Sequence, residues 1–169
     1  VTLTSAGATE DVLVARLDGS PYRRLTDDAF RDRGVSWRPD GAAIAFYSDR
    51  GGSYEVWAIR PDGSGLELLV RRRGGGSRNF PVWSPDGSRI AVSSVPGNWS
   101  LLQLGRGAPV ENEMPLPPEA RFWPMSWSPD GRRIAGAVMG EDGIIRGVGL
   151  YGLDARRYEI APLPKRLSW

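Results

Sequence analysis

The chain has 169 residues, with 22 basic and 20 acidic side chains and a formal net charge of +2, and it contains neither histidine nor cysteine. These absences exclude a Ser-His-Asp triad, a cysteine nucleophile, disulfides and the usual Cys/His zinc site within this chain. A length near 170 fits one compact domain. The small net charge argues against a dedicated nucleic-acid binder, and no apolar run approaches the ~18 residues of a membrane span.

In chain order, short apolar alternations separated by turn residues predict strands rather than helices. The predicted strands lie at 11–16, 22–26, 35–37, 43–46, 54–60 and 66–70, and again at 81–83, 89–92, 125–127 and 133–136. No segment shows a sustained 3.6-residue period with caps, so we expect essentially no helix.

A repeat organises these strands. The tripeptide Pro-Asp-Gly begins at Pro39, Pro85 and Pro129, at spacings of 46 and 44 residues, and a Trp stands two positions before each Pro. Proline presets φ at the first turn position, aspartate bonds nearby amides, and glycine adopts the left-handed conformation that closes the turn. A period of about 40–45 residues with four strands is typical of a β-propeller blade, in which the repeated Trp packs between blades.

Two of the repeats carry a recognisable sequence. The segments Trp-Ser-Pro-Asp-Gly-Ser-Arg-Ile-Ala at 83–91 and Trp-Ser-Pro-Asp-Gly-Arg-Arg-Ile-Ala at 127–135 resemble the TolB-type β-propeller repeat, as does Phe-Tyr-Ser-Asp-Arg-Gly-Gly at 46–52. The first copy departs from it, because Arg38 replaces the serine. The resemblance implies a bacterial binding module without catalytic activity, most often periplasmic or otherwise extracytoplasmic.

We therefore expect a single all-β propeller domain or propeller fragment over 1–169, made of four-stranded antiparallel blades in about four blade-equivalents. The approximate units are 1–41, 42–87, 88–131 and 132–169. The register gives three strands, three complete blades and a further inner strand ending at Trp169. Both a closed four-bladed ring and part of a larger six- to eight-bladed propeller fit this count, and open blade edges in the second case favour self-association. Val1 to Thr4 show no signal peptide.

The predicted binding site is a collar of arginines at the channel mouth. One basic residue precedes the repeated Trp of each blade by a few positions: Arg33, Arg78, Arg121 and Arg166. Such a collar fits a protein or peptide partner, acidic in particular, through charge-assisted hydrogen bonds.

Other charged segments predict no site. The run at 71–78 lacks the Lys-Ser/Thr ending of a phosphate-binding loop, so it reads as a solvated loop. Glu141 and Asp142 have too few oxygen donors nearby for calcium. We therefore predict no metal, no cofactor, no nucleic-acid contact and no membrane insertion.

The sequence leaves three functional hypotheses. The first is a non-catalytic protein- or peptide-binding scaffold, whose partner docks on the loop face at the channel mouth. The alternatives are the substrate-gating propeller portion of a larger serine peptidase and the sensor domain of a regulatory protein. The residues flanking this segment in its gene would distinguish them.

Overall fold

The computed structural model describes residues 2–4, 10–70, 76–94, 97–105 and 107–163, the first range by its backbone alone. Within these ranges all regular structure is β-strand, and no described segment is a helix of the length and apolar character that crossing a bilayer requires. The predicted further inner strand at 166–169 lies outside the described residues.

Fifteen strands form four antiparallel sheets, each of which follows chain order from its first strand to its last. The first sheet has three strands: β1 (Thr2–Thr4), β2 (Val12–Val14) and β3 (Arg23–Arg24). Blade 1 contains β4 (Asp32–Trp37), β5 (Ile44–Ser48), β6 (Glu55–Ile59) and β7 (Glu67–Val70). Blade 2 contains β8 (Arg78–Trp83), β9 (Arg89–Ser94), β10 (Trp99–Gln103) and β11 (Val110–Glu113). Blade 3 contains β12 (Arg121–Trp127), β13 (Arg133–Met139), β14 (Ile145–Gly152) and β15 (Arg157–Pro162).

These sheets confirm the all-β, propeller-like fold that the repeat predicts, with three strands followed by three complete four-stranded blades. The predicted strand at 22–26 is shorter than expected, because only Arg23 and Arg24 pair with β2. Leu25 and Thr26 instead turn inward: the Leu25 amide donates to the Val12 carbonyl, and Thr26 is buried.

The Pro-Asp-Gly turns close as predicted. Gly41, Gly87 and Gly131 have φ of 72°, 67° and 68°, and each amide donates to the carbonyl three residues earlier. In the second copy Asp86 accepts a hydrogen bond from the Ser88 amide at 3.0 Å and from the Ser84 hydroxyl at 2.5 Å. Each turn is therefore fixed by its own side chain as well as by its backbone.

Blade 1 is joined to blade 2 through an arginine and the following hairpin. The guanidinium carbon of Arg38 lies 5.7 Å from the ring centroid of Trp83. A Cβ at Gly87 would lie 3.0 Å from Arg38 Nε, so the turn passes directly over this side chain. The Trp ring is thereby held between two blades, as the sequence predicts.

Blade 2 is joined to blade 3 in a similar way. The guanidinium carbon of Arg89 lies 4.8 Å from the ring centroid of Trp127, and its Nη2 donates to the Gly131 carbonyl at 3.1 Å. The indole of Trp127 in turn donates to the Val82 carbonyl at 3.0 Å. We call this arrangement, an arginine placed on the indole and turn of the next blade, the hairpin joint.

Blade 3 carries the arginine for another joint. Arg133 begins β13 as Arg89 begins β9, and each is the second residue after the glycine of a Pro-Asp-Gly turn. Arg133 is exposed and lines an open polar cleft of about 260 Å³ with Asp130 and Arg157. It has no ion pair or ring contact within the described ranges.

The sheet face beside Arg133 is also open. Ladder register places Val148 of blade 3 at the position of Val56 in blade 1 and Trp99 in blade 2. Val56 and Trp99 are fully buried by the blade that follows, whereas Val148 is 51% exposed. Within the described ranges, blade 3 therefore has an apolar face that no other blade covers, of the kind that joins blades elsewhere in the chain.

Candidate functional site

The inner strands β4, β8 and β12 all begin at one end of their sheets, and the loops between second and third strands lie at the same end. We call this the entry end. The Arg78 amide, at the start of β8, donates to the Tyr54 carbonyl just before β6, which places neighbouring blades in direct contact there. Side chains from three blades therefore converge at this end.

Four aromatic rings form a row across the entry end: Tyr54, Tyr47, Phe80 and Trp123. Tyr54 and Tyr47 have ring centroids 5.2 Å apart, Tyr47 and Phe80 are 5.1 Å apart, and Phe80 and Trp123 are 5.7 Å apart. Pairs of rings at such distances are mutually stabilising. We call this set the aromatic row; it runs from blade 1 through blade 2 to blade 3.

Backbone irregularities in the inner strands β8 and β4 lie beside this row. Phe80 lies where the pairing of β8 with β9 shifts, and its φ is 50°, a left-handed conformation that is unfavourable for a bulky side chain. Three residues before the repeated Trp of blade 1 stands Gly34, with φ of 60°. A Cβ at Gly34 would overlap the ring of Tyr47, so the absence of a side chain at this position leaves the space that the ring occupies.

The row is only partly covered by protein. Phe80 is 41% exposed, and Trp123 is half-buried. Tyr47 is buried, and that burial raises the pKa of its hydroxyl above the ordinary value. The apolar surface offered to a ligand therefore centres on blades 2 and 3.

Arg33 lies at the blade 1 end of the row, as the second residue of β4. Its Nη2 donates to Glu10 Oε1 at 2.5 Å and its Nε donates to the other oxygen of Glu10, while its guanidinium lies 5.7 Å from the Tyr54 ring centroid. The hydrogen bonds from Arg33 lower the pKa of Glu10 and raise the pKa of Arg33. This predicted collar residue is already paired with an internal carboxylate.

Arg78 is paired as well. Its Nε donates to Glu111 Oε1 at 2.7 Å, and both side chains are largely buried, with 12% and 19% exposed. The pair connects the inner strand β8 to the outer strand β11 of the same blade. Arg78 is paired in the sheet with Ser94 of β9, which is buried.

Arg121 differs from the other two. It begins β12 and lies against Gly97 in the loop between β9 and β10, where a Cβ would collide with the arginine side chain. Within the described part of the chain it has no carboxylate partner. Arg166, the fourth predicted collar residue, lies outside the described residues.

The collar arginines do not occupy one equivalent position, although their sequence spacing suggests it. Arg78 pairs with Ser94 at the position where Asp32 pairs with Ser48 in blade 1, whereas Arg33 is one residue later. Arg121, paired with Met139, is one residue earlier than that position. They share the entry end but not a common register, and their binding role stays a prediction.

Three carboxylates elsewhere lie close enough for a cation. The ligand atoms of Asp11, Asp28 and Asp32 are all within 4.8 Å of one another. Arg50 already supplies a positive charge there: its Nη1 is 3.2 Å from Asp28 and its Nη2 donates to Asp32. Arg50 thus forms an internal salt-bridge network with two of these carboxylates.

The predicted acidic loop of blade 3 is a turn. Asp142 Oδ1 accepts a hydrogen bond from the Ile144 amide at 3.0 Å, and its other oxygen pairs with Arg146. The Arg-rich run predicted as a solvated loop lies, except for its last three residues, outside the described part of the chain.

Sequence comparison gives relatives over part of the chain. No family model matches it. The Tol-Pal system protein TolB of Anaeromyxobacter dehalogenans is 35% identical over 106 residues, which are 59% of this chain and 23% of that protein. An uncharacterized protein of Agrobacterium fabrum is 33% identical over 84 residues, 50% of this chain and 28% of that protein. The chain thus spans about a quarter of the length of the curated relatives it matches.

Solved structures share the fold. A putative TolB from Agrobacterium tumefaciens superposes with a TM-score of 0.77 at 18% identity, over 94% of this chain and 59% of that one. TolB from Acinetobacter baumannii gives 0.70 at 22% identity, over 96% and 40%. A puromycin hydrolase gives 0.65 at 18% identity, over 89% of this chain and 24% of its own. At these identities the likeness is one of fold.

Proposed function

We propose that this chain, which is TolB-like in sequence and a propeller in fold, is a non-catalytic scaffold that binds a protein or peptide at its entry end. The observation that carries the proposal is the aromatic row, which joins three blades and leaves Phe80 41% exposed in a left-handed conformation. Strained residues that keep an apolar side chain at the surface are concentrated at binding sites.

The mechanism is rigid display. Ring contacts and hairpin joints hold the blades in fixed positions, so the binding surface is formed before a partner arrives. Little of the binding free energy is then spent on ordering that surface. Among the described residues, Arg33, Arg78 and Arg121 lie at this end, and they are the arginines that a carboxylate of the partner would meet. Arg33 and Arg78 already bind Glu10 and Glu111, so a partner's carboxylate would have to compete for them. Arg121 is the described collar arginine that is available without such competition.

The names of the relatives support a protein as the partner. Curated relatives are named as proteins of the Tol-Pal system. We infer that the present chain likewise works by contact with another protein, with its non-polar anchor on the aromatic row. An acidic partner surface suits the arginines.

A second surface supports self-association. In the described part of the chain, the face of blade 3 with Val148 is uncovered at a position that is buried in blades 1 and 2. We propose that this face binds another blade surface when it is not covered, in line with the apolar contact that joins blades 1 and 2. Light scattering of the chain with Val148→Asp, compared with Leu17→Asp at a 92% exposed turn position, tests this. Only the Val148 variant should shift association toward monomer.

A site-directed crosslink tests the docking proposal. The photoreactive residue p-benzoyl-phenylalanine replaces Phe80 in one variant and the exposed Leu17, at the β2–β3 turn, in a control. In an extract of the source organism we expect a discrete product from position 80 alone, which is lost when Trp123→Ala is added. The same products from both positions would contradict docking at the entry end.

A further inference from the structure

We infer that the entry end between blades 2 and 3 recognises an aromatic side chain next to a carboxylate in a polypeptide: the ring packs on Phe80 and Trp123, and the carboxylate binds Arg121. This inference rests on the proposed function and names the ligand chemistry of the same site. Of the three collar arginines that the structure describes, it assigns Arg121 to the ligand and leaves Arg33 and Arg78 with their internal carboxylates.

The apolar part of the site is built by Phe80. Its ring is tilted by 36° against Trp123 and packs edge-on to Tyr47 at 65°. Both neighbours hold the ring in place while 41% of the residue stays exposed. A left-handed φ is tolerated by glycine at the matching position, Gly34, so the backbone alone does not require a phenylalanine here. The phenylalanine side chain therefore contributes exposed apolar surface and is not needed for the backbone conformation.

The charged part of the site is Arg121. It begins the strand on which Trp123 lies two residues further, a distance of about 7 Å along an extended chain. The arginine side chain packs against Gly97 of blade 2, where a Cβ would collide with it, and this contact limits where the guanidinium can go. A half-buried arginine without a carboxylate partner among the described residues is suited to a charge-assisted bond with a ligand.

The surroundings favour a peptide over a sugar chain. Carbohydrate sites combine a flat, open ring face with polar side chains that bond hydroxyl groups, whereas the rings here pack on one another at angles and not in one open plane. A side chain of aromatic type, with a carboxylate about one residue away, matches both parts.

Blocked dipeptides test the inference on the whole chain. The probes are acetyl-Phe-Asp-amide, its uncharged form acetyl-Phe-Asn-amide and its ringless form acetyl-Ala-Asp-amide, with trigalacturonate as an acidic sugar. Binding is followed by nuclear magnetic resonance of the Trp123 indole N–H, assigned by Trp123→Phe. We expect acetyl-Phe-Asp-amide to bind about fivefold more tightly than either peptide control, since each lacks one of two contacts.

Variants locate the contacts. Arg121→Ala should abolish the preference for Asp over Asn, and Phe80→Ala should abolish the preference for Phe over Ala. Arg157→Ala, which removes an exposed arginine of the outer strand β15, should change neither. Circular dichroism and the remaining indole signals report whether each variant is folded, and Arg121→Gln gives a second charge-neutral variant if Arg121→Ala is not.

The outcomes separate this inference from the proposed function. Equal binding of all three peptides, or stronger binding of trigalacturonate, would overturn the ligand class but leave protein docking at position 80 open to the crosslink. Loss of the Asp preference in Arg157→Ala as well would overturn the role of Arg121. A crosslink at position 80 that survives Arg121→Ala and Arg121→Gln would also count against it, whereas absence of any crosslink would contradict the proposed function itself.

Discussion

Arg50 binds Asp32 in the interior of blade 1, where its Nη2 lies 2.9 and 2.7 Å from the two carboxylate oxygens. The arginine side chain is 8% exposed and that of Asp32 is fully buried. The guanidinium also lies 5.3 Å from the Trp57 ring centroid. Buried charge on one residue is thus compensated by a partner 18 positions away.

Removing that compensation is expected to be costly. Arg50→Leu leaves Asp32 charged and buried, so we expect the free energy of unfolding to fall by about 3–5 kcal/mol. The matched change Arg146→Leu removes an exposed ion pair with Asp142 and should cost less than about 1 kcal/mol. Urea denaturation of both variants measures the difference. If both variants lost the same unfolding free energy, the buried Arg50–Asp32 pair would contribute no more to stability than an exposed ion pair.

The turn aspartates predict how stability changes with acid. Hydrogen bonds from the Ser84 hydroxyl and the Ser88 amide lower the pKa of Asp86 from 3.8 to about 2. A lowered folded pKa gives stability that is present above pH 3.8 and lost as the pH falls toward 2. We expect Asp86→Asn to flatten the dependence of the unfolding free energy on pH between 4 and 2. Since Asp86 is largely exposed, its share is about 1 kcal/mol.

Arg89 and Arg133 occupy equivalent positions in their blades, but within the described residues only Arg89 of the two takes part in a hairpin joint, so they should differ in their contribution to stability. Arg89→Ala removes the contact with Trp127 and the hydrogen bond to the Gly131 carbonyl, so we expect a loss of about 1–2 kcal/mol. Arg133→Ala removes neither kind of contact, and its effect should stay within about 0.5 kcal/mol. Thermal unfolding monitored by Trp fluorescence compares them. A larger effect at Arg133 would contradict the assignment of the joint.

Backbone strain at Phe80 can be isolated by two substitutions. Phe80→Ala and Phe80→Gly remove the same ring contacts, but only glycine adopts a φ of 50° without strain. We expect Phe80→Gly to be more stable than Phe80→Ala by about 1 kcal/mol in chemical denaturation. The reverse order would mean that the local conformation relaxes when the ring is absent.

The sequence predicts the blades well because their determinants are local. Pro39-Asp40-Gly41 and its repeats contain every group that closes the turn, and alternating side chains on either side mark the strands. The TolB-like resemblance, confirmed by relatives and solved structures, has the same basis. The turn can be predicted from the sequence because the groups that close it all lie within a few residues of one another.

The candidate site is less predictable because it depends on pairs that are distant in sequence. Arg33 and Glu10 are 23 positions apart, and Arg78 and Glu111 are 33 apart. Nothing in the local sequence distinguishes these arginines from Arg121. A weak signal for Phe80 does exist, since Gly34 stands at the same distance before its Trp, but only the backbone shows that both residues are left-handed.

The hairpin joint also bears on how such a chain can change its number of blades. In blade 2, Arg89 points forward to the next hairpin, while Trp83 and Gly87 of the same blade receive Arg38 from behind. A duplicated copy of blade 2 would therefore contain both the arginine that contacts the next blade and the Trp and glycine that receive the arginine of the preceding blade. Gene duplication could therefore lengthen this repeat one unit at a time, without a compensating substitution in its neighbours.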